Sequence, residues 1–385
     1  MERTKVKKLA RQIRGVSYKP EDLHDNLDDN SVILLRANNI DEGKINFDDV
    51  VYVDKSKVSD DQYLVPGDIL ICASSGSKQL VGKAASVSFD KPCTFGAFCK
   101  VVRPNSGLER YLGTYFQSGI YRREISALAI GANINNIRNE HIDALELPLY
   151  SKDESLSIVT RIELLQGIID KRKTELEMLD ELIKARFVEL YNNSSLGEET
   201  TLEAITERVK VGFVGTCEKY YTDASGIPML RTGNITDKGI DLADLKYVTP
   251  EFHEKNKKSQ IHEGDLLIAR HGSNGQANVY YGQEAQCLNA VVIVPNYEMT
   301  TSIFLAGLIN SPIVKEQIER TLVGSTQHVV NTKSIAGLVV RIPDLTVQKE
   351  YEAFVNQVDK SKVAVQKALE ETQRLFDSLM QEYFG

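Results

Sequence analysis

The chain is predicted to have a mixed α+β fold: two tandem globular domains, each followed by a long helix, with the two helices burying against each other. Three observations predict it. Motifs return in the same order half a chain later, each copy ends in a heptad-spaced segment, and the text between them reads as short strands and loops. At 385 residues, with 42% hydrophobic and 26% charged residues, the chain is too long for a single core and too apolar for disorder.

The repeat is read directly from the residues. Leu34-Leu-Arg-Ala-Asn-Asn-Ile40 returns as Met229-Leu-Arg-Thr-Gly-Asn-Ile235, and Tyr52-Val53 as Tyr247-Val248, both 195 residues later. Pro66-Gly-Asp-Ile-Leu-Ile71 returns as Glu263-Gly-Asp-Leu-Leu-Ile268, and Leu145-Glu-Leu-Pro148 as Val340-Arg-Ile-Pro343.

In chain order, the segment to Pro20 holds seven Lys or Arg against one acid, while Glu21 to Asp61 holds twelve acids against four bases. Val32–Leu35, Ile69–Cys72, Leu266–Ala269 and Ala290–Val294 are short apolar runs bounded by turn residues, the pattern of buried strands. Gly67-Asp68 and Gly264-Asp265 read as turns delivering the chain into two of them. Ile158, Ile162, Leu165, Ile169, Arg172, Leu176, Leu179, Ile183, Arg186 and Leu190 step by four and three, which is the spacing of a coiled-coil seam. Val347, Tyr351, Phe354, Val358, Ser361, Val365, Ala368, Thr372, Leu375 and Leu379 repeat that register 189 residues on. Each seam is weak alone, and small positions on one suit bulky or charged positions on the other. The expected boundaries are residues 1–150, 151–195, 196–345 and 346–385.

Several chemistries are missing. Five scattered cysteines form no CxxC pair and read as small buried hydrophobes. The six histidines have no metal-ligand spacing, and no serine sits in a GxSxG elbow. There is no Pro-Pro pair for an Asn-Pro-Pro-Tyr methyltransferase loop and no nuclease-like Asp followed by Glu-x-Lys. Gly76 to Ala84 imitates a P-loop but has five intervening residues and Ala in place of the Mg²⁺-binding Ser or Thr. A non-catalytic chain is expected. No run approaches the ~18 apolar residues of a membrane span, so a cytoplasmic location is expected. The net charge of −8 counts against nucleic-acid binding by composition alone, although a basic face can sit within an acidic total.

Two related globules each followed by a long helix, the Gly-Asp-Ile-Leu and Gly-Asp-Leu-Leu strands, and the helix-end runs Lys184-Ala-Arg-Phe-Val-Glu-Leu190 and Leu375-Phe-Asp-Ser-Leu-Met380 resemble the specificity subunits of type I restriction-modification systems. The resemblance covers nearly the whole chain. It implies two target recognition domains, each reading half of a split, asymmetric site in double-stranded DNA, held apart by an antiparallel, pseudo-twofold helix pair. It implies two DNA-methyltransferase subunits as partners, docked through the coiled coil, and restriction or translocase subunits when DNA is cut. No cofactor is expected in this chain; S-adenosylmethionine, ATP and Mg²⁺ would belong to the partners.

Candidate DNA contacts follow from repeat position and donor chemistry. Arg36, Asn38, Asn39, Arg231 and Asn234 offer guanine- and adenine-matching groups but could equally cap turns. Ser74, Ser75 and Lys78 follow one Gly-Asp strand, and Arg270, His271, Asn274 and Gln276 follow the other. These could contact DNA or simply close hairpins. Arg138, Gln327, Asn331 and Lys333 lie in amide-rich segments whose side chains could instead satisfy loop backbone. A coiled-coil scaffold for partner proteins, with no DNA binding, is the competing reading, and the acidic balance favours it. A self-contained restriction enzyme would need the missing motifs.

Overall fold

The computed structural model describes residues 2–77, 79–128, 135–236, 239–270, 275–322 and 330–385. They form two compact units, residues 1–173 with 367–385 and residues 174–366. Each unit therefore holds one globule and a share of both long helices, α4 (Lys152–Asn193) and α9 (Leu345–Phe384).

The first unit is built on two four-stranded sheets. One runs Ala84–Ser86, Ile69–Cys72, Cys99–Pro104, Ala10–Arg14, all antiparallel. The other runs Cys93–Phe95, Ser31–Leu35, Val51–Asp54, Leu23–His24, with its first pair parallel. Ile69–Cys72 is buried at every position because both its faces are covered. Ile69 and Ile71 join the core beneath helices α1 (Glu109–Phe116) and α2 (Gly119–Leu128), while Leu70 and Cys72 meet Ile33, Leu35 and Phe95 of the other sheet. The Pro66-Gly67 turn precedes this strand. Gly67 has φ +91°, and Asp68 N–H donates to the Val65 carbonyl at 3.1 Å, the geometry for which Pro followed by Gly is suited.

The second unit repeats the plan. Its antiparallel sheet runs Thr206–Val211, Ala290–Pro295, Leu266–Ala269, Ala277–Val279. Its other sheet runs Tyr221–Thr222, Lys246–Val248, Ile227–Leu230, Ala285–Cys287, Gln260–Ile261, again with one parallel pair. Leu266 and Ile268 face helices α6 (Ser302–Asn310) and α7 (Pro312–Leu322), and Leu267 and Ala269 face the other sheet. Short helices α3 (Asn139–Ala144), α5 (Pro250–Lys255) and α8 (Thr332–Ala336) complete the set used below. All five cysteines are buried and free, and burial pushes the thiols of Cys93, Cys99 and Cys287 up to about 12.

The long helices run antiparallel within each unit. In the first, Arg161 meets Tyr383 and Arg172 donates to the Ala368 carbonyl and Thr372 hydroxyl. In the second, Lys362 donates to Asp180 at 2.6 Å and Phe187 packs edge-on against Tyr351. Ile158, Ile162, Ile169, Tyr351 and Val358 are buried, while Leu165, Leu176, Leu179, Ile183, Leu190, Val347, Phe354, Val365 and Leu379 are half-buried.

The expected seam needs one correction. Leu375 is 51% exposed, and the inward positions after Thr372 are Phe376, Met380 and Phe384. The first helix departs at the equivalent place, where Phe187 and Tyr191 follow Ile183 by fours. The reason is that each helix end packs into the core of a globule as well as against its helical partner. The 3.6-residue turn of the helix then decides what faces inward, not a 3.5-residue repeat.

A candidate nucleic-acid interface

The repeated Leu-Arg-x-x-Asn-Ile motif closes the same turn in both units. Arg36 N–H donates to Asn39 Oδ1 at 2.8 Å, and Asn39 Nδ2 donates to the carbonyls of Asn46 and Asp49 at 3.2 and 3.0 Å. Arg36 Nη2 reaches Asp49 Oδ2 at 2.9 Å, where Asn38 Nδ2 also donates at 2.8 Å. In the second unit Arg231 N–H donates to Asn234 Oδ1 at 2.9 Å. Asn234 Nδ2 donates to the carbonyls of Asp241 and Asp244, both at 3.1 Å, and Arg231 Nη2 reaches Asp244 Oδ2 at 2.8 Å. Asn39 and Asn234 are buried, so their amides satisfy loop backbone that burial would otherwise leave unpaired. The arginines keep roughly a third of their side-chain surface exposed.

At the far ends of the Gly-Asp strands, Ser74–Ser75 pairs antiparallel with Asn135–Asn136, and Ile137 N–H donates to the Ala73 carbonyl at 2.8 Å. Exposed Arg138 follows, just before α3. The matching place in the second unit has Val330 N–H donating to the Arg270 carbonyl at 3.1 Å. The Arg270 guanidinium lies between the Val330 carbonyl, 3.3 Å, and Asn289 Oδ1, 3.1 Å. Asn331 caps α8 by accepting from Ser334 N–H at 2.8 Å, exposed Lys333 is on that helix, and Gln276 is half-buried. Lys78, His271, Asn274 and Gln327 lie outside the described residues.

Three further features belong to this region. Asn289 has φ +54°, a left-handed conformation for which Asn is favoured among non-glycine residues, and it presents its side chain to Arg270. Arg14 and Lys100 stand opposite each other on adjacent strands. Burial, then the Arg14 charge, lowers the Lys100 pKa from its ordinary value. Lys100 Nζ donates to Asn139 Oδ1, and the Glu140 and Asp143 carboxylates offset part of the repulsion. Finally, a cleft of about 810 Å³ in the first unit brings Arg36, Asn38, Ser74 and Ser75 together beside Tyr18 and Phe98. No pattern of hydrophobic period marks Phe98, because it lies on a bend between strands.

Among the described residues, no group of three or more His, Cys, Asp or Glu side chains is placed to hold a metal ion, and no helix is long and apolar enough to cross a membrane.

Comparison with known proteins agrees with this architecture. Residues 206–372 match the family described as type I restriction modification DNA specificity domain. Over 98% of its length the chain is 28% identical to the type I restriction enzyme StySPI specificity subunit of Salmonella potsdam, covering 87% of that protein. It is 27% identical, with the same coverages, to the EcoKI specificity subunit of Escherichia coli K12. Among solved structures, the fold is similar to a type I S subunit from M. genitalium, with a TM-score of 0.56 at 15% identity over 100% of this chain and 96% of that one. A second similar chain comes from a study of complex assembly and conformational transition in a type I system, with a TM-score of 0.57 at 14% identity over 99% and 97%.

Proposed function

Since this chain belongs to the family of type I restriction-modification specificity subunits, we propose that it reads a split, asymmetric DNA site, one half with each unit. It is the non-catalytic DNA specificity subunit of such a system. The observation that carries the split-site reading is the duplication of one sheet plan in one chain with different residues at the strand ends. Ala73, Ala97 and Arg138 stand in the first unit where Arg270, Asn289 and Asn331 stand in the second. Like frames with unlike donors are suited to two different half-sites, whereas identical donors would suit a palindrome.

The roles divide by chemistry. Arg14, Lys100, Arg138 and Lys333 are suited to phosphates, which fix register without reading sequence. Asn38, Ser74, Ser75, Arg270 and Gln276 are suited to base edges. Lys78, His271, Asn274 and Gln327 remain candidates for the same task. Asn39 and Asn234 hold the turn that carries Arg36 and Arg231, and act on DNA only through it.

Two methyltransferase subunits dock on the helices. On α4, Leu156, Leu164 and Ile168 in the first unit and Met178 and Leu182 in the second are 41–67% exposed, and at 100° per residue each set falls within one third of the helix circumference. S-adenosylmethionine is held by those partners, and ATP and Mg²⁺ by restriction subunits that join for cleavage.

The test is adenine-methylation mapping of genomic DNA from cells expressing this chain with its neighbouring methyltransferase, against the same cells without it. A new split motif that depends on the chain is expected. An unchanged methylome, given an assembled and active methyltransferase, would move the function to a protein scaffold. A scaffold would also lack the steep loss of DNA affinity with salt that phosphate contacts produce.

A further inference from the structure

We propose that Phe98 is a wedge that inserts its ring at one base step of the half-site read by the first unit, and that the second unit has no such wedge. The inference rests on the DNA-reading role argued above and adds a shape-reading residue to it.

Phe98 is 71% exposed. Its backbone is held firmly: the Phe98 carbonyl accepts from Ala73 N–H at 2.9 Å and Ser74 N–H at 3.0 Å. On one side of it Gly96 N–H donates to the Leu35 carbonyl at 2.9 Å, and Ala97 N–H to the Val16 carbonyl at 2.9 Å. On the other side Cys99 opens a buried strand. An exposed aromatic ring on a pinned backbone is preorganised for contact, with little loop ordering to lose on binding.

The surroundings select nucleic acid as the occupant. The ring stands at the 810 Å³ cleft, whose polar lining includes Ser17, Tyr18, Ser74 and Ser75 together with Arg36 and Asn38, both of which also bond Asp49. The next residue but one is Lys100, opposite Arg14. Cations for phosphate, donors for base edges and an apolar ring thus lie within a few residues of one another. Proteins that kink duplexes use this combination, partly unstacking a step with an apolar side chain.

The asymmetry follows from the register. Ala97 N–H donates to the Val16 carbonyl in the first unit, and Asn289 N–H donates to the Phe213 carbonyl at 2.9 Å in the second. Cys99 pairs with Cys72, and Ala290 with Ala269. Between the matching positions the first unit has one residue, Phe98, and the second has none. Among the described residues the second unit thus has no counterpart of Phe98 at this place, and the half-site read by the first unit is read partly through how readily its step unstacks. Pyrimidine–purine steps are the favoured ones.

The experiment uses the assembled complex of this chain with its methyltransferase subunits and duplexes carrying the mapped site, with 2-aminopurine placed in turn along both half-sites. Wild type is expected to brighten the probe at one step of one half-site. Phe98→Ala should remove that signal and weaken specific binding about tenfold to hundredfold, leaving non-specific binding and thermal stability unchanged. Phe98→Leu should keep most of the signal. Specific binding with equal affinity and equal probe response in wild type and Phe98→Ala overturns the wedge alone. A complex that prefers no sequence overturns both the wedge and the reading on which it rests.

Discussion

Asp68 and Asp265 occupy the same place in the two units and live under different conditions. The Asp68 side chain is fully buried and takes two bonds from Arg103, both 2.7 Å. Asp265 is also buried and accepts from His262 N–H at 3.0 Å, but Val294 stands where Arg103 stands in the first unit, and burial raises its pKa above the ordinary carboxylate value. Asp68→Asn should therefore cost about 3–5 kcal/mol, the penalty for leaving a buried charge without its partner. Asp265→Asn should cost less than about 1 kcal/mol at neutral pH. The folded Asp265 carboxyl holds its proton more tightly than the unfolded one. Stability is thus lost as pH rises from the ordinary carboxylate range through the raised folded value, and Asp265→Asn should flatten that decline. Thermal melts against pH decide this, and equal losses in the two variants would contradict it. At the same scale, Asn39→Ala and Asn234→Ala should each cost about 1–3 kcal/mol through unpaired loop carbonyls. The methylated motif should remain the same, since these amides face protein and not DNA. Both asparagines were legible in the sequence as repeated residues. Their direction was not, because base reading and turn closure use the same amide.

At the scale of elements, the long helices were legible almost to their ends and the strands were legible as short apolar runs. The final helical turns were not. Phe384 is fully buried against Tyr111 and Tyr115, with ring centroids 5.3 and 5.9 Å apart. It belongs to the core of the first unit, although it lies more than 260 residues from those partners in sequence. Phe384→Ala should cost about 3–5 kcal/mol, and Leu375→Ala should fall within about 0.5 kcal/mol of wild type. A heptad reading expects the opposite order. Unfolding of the full chain by denaturant, compared between the two variants, separates the two expectations. Strands such as Ile69–Cys72 are apolar at every position because two cores claim alternate residues, so their periodicity alone could not have distinguished them from buried helix.

At the scale of the whole molecule, the duplication supports two readers and the paired helices support a ruler. Lengthening both helices by one heptad should change the spacer of the methylated motif and leave both half-sites intact; an altered half-site with an unaltered spacer would end the ruler proposal. Exchanging the first globule for that of a relative should change one half-site only. The acidic total of the chain is no obstacle to DNA reading on this view, because phosphate contacts need local cations such as Arg14, Lys100 and Arg138 and not a basic average.

Sequence by itself determined the duplication, the two long helices, the apolar runs that become strands and the lack of recognisable catalytic motifs, since each rests on local residue order and spacing. Tertiary structure alone decided which amides close turns, where the helix ends pack, and that Phe98 stands exposed beside a polar cleft. Those outcomes depend on contacts between residues far apart in the chain, and no local pattern encodes which of several hydrogen-bond partners, or which of two cores, a side chain will meet.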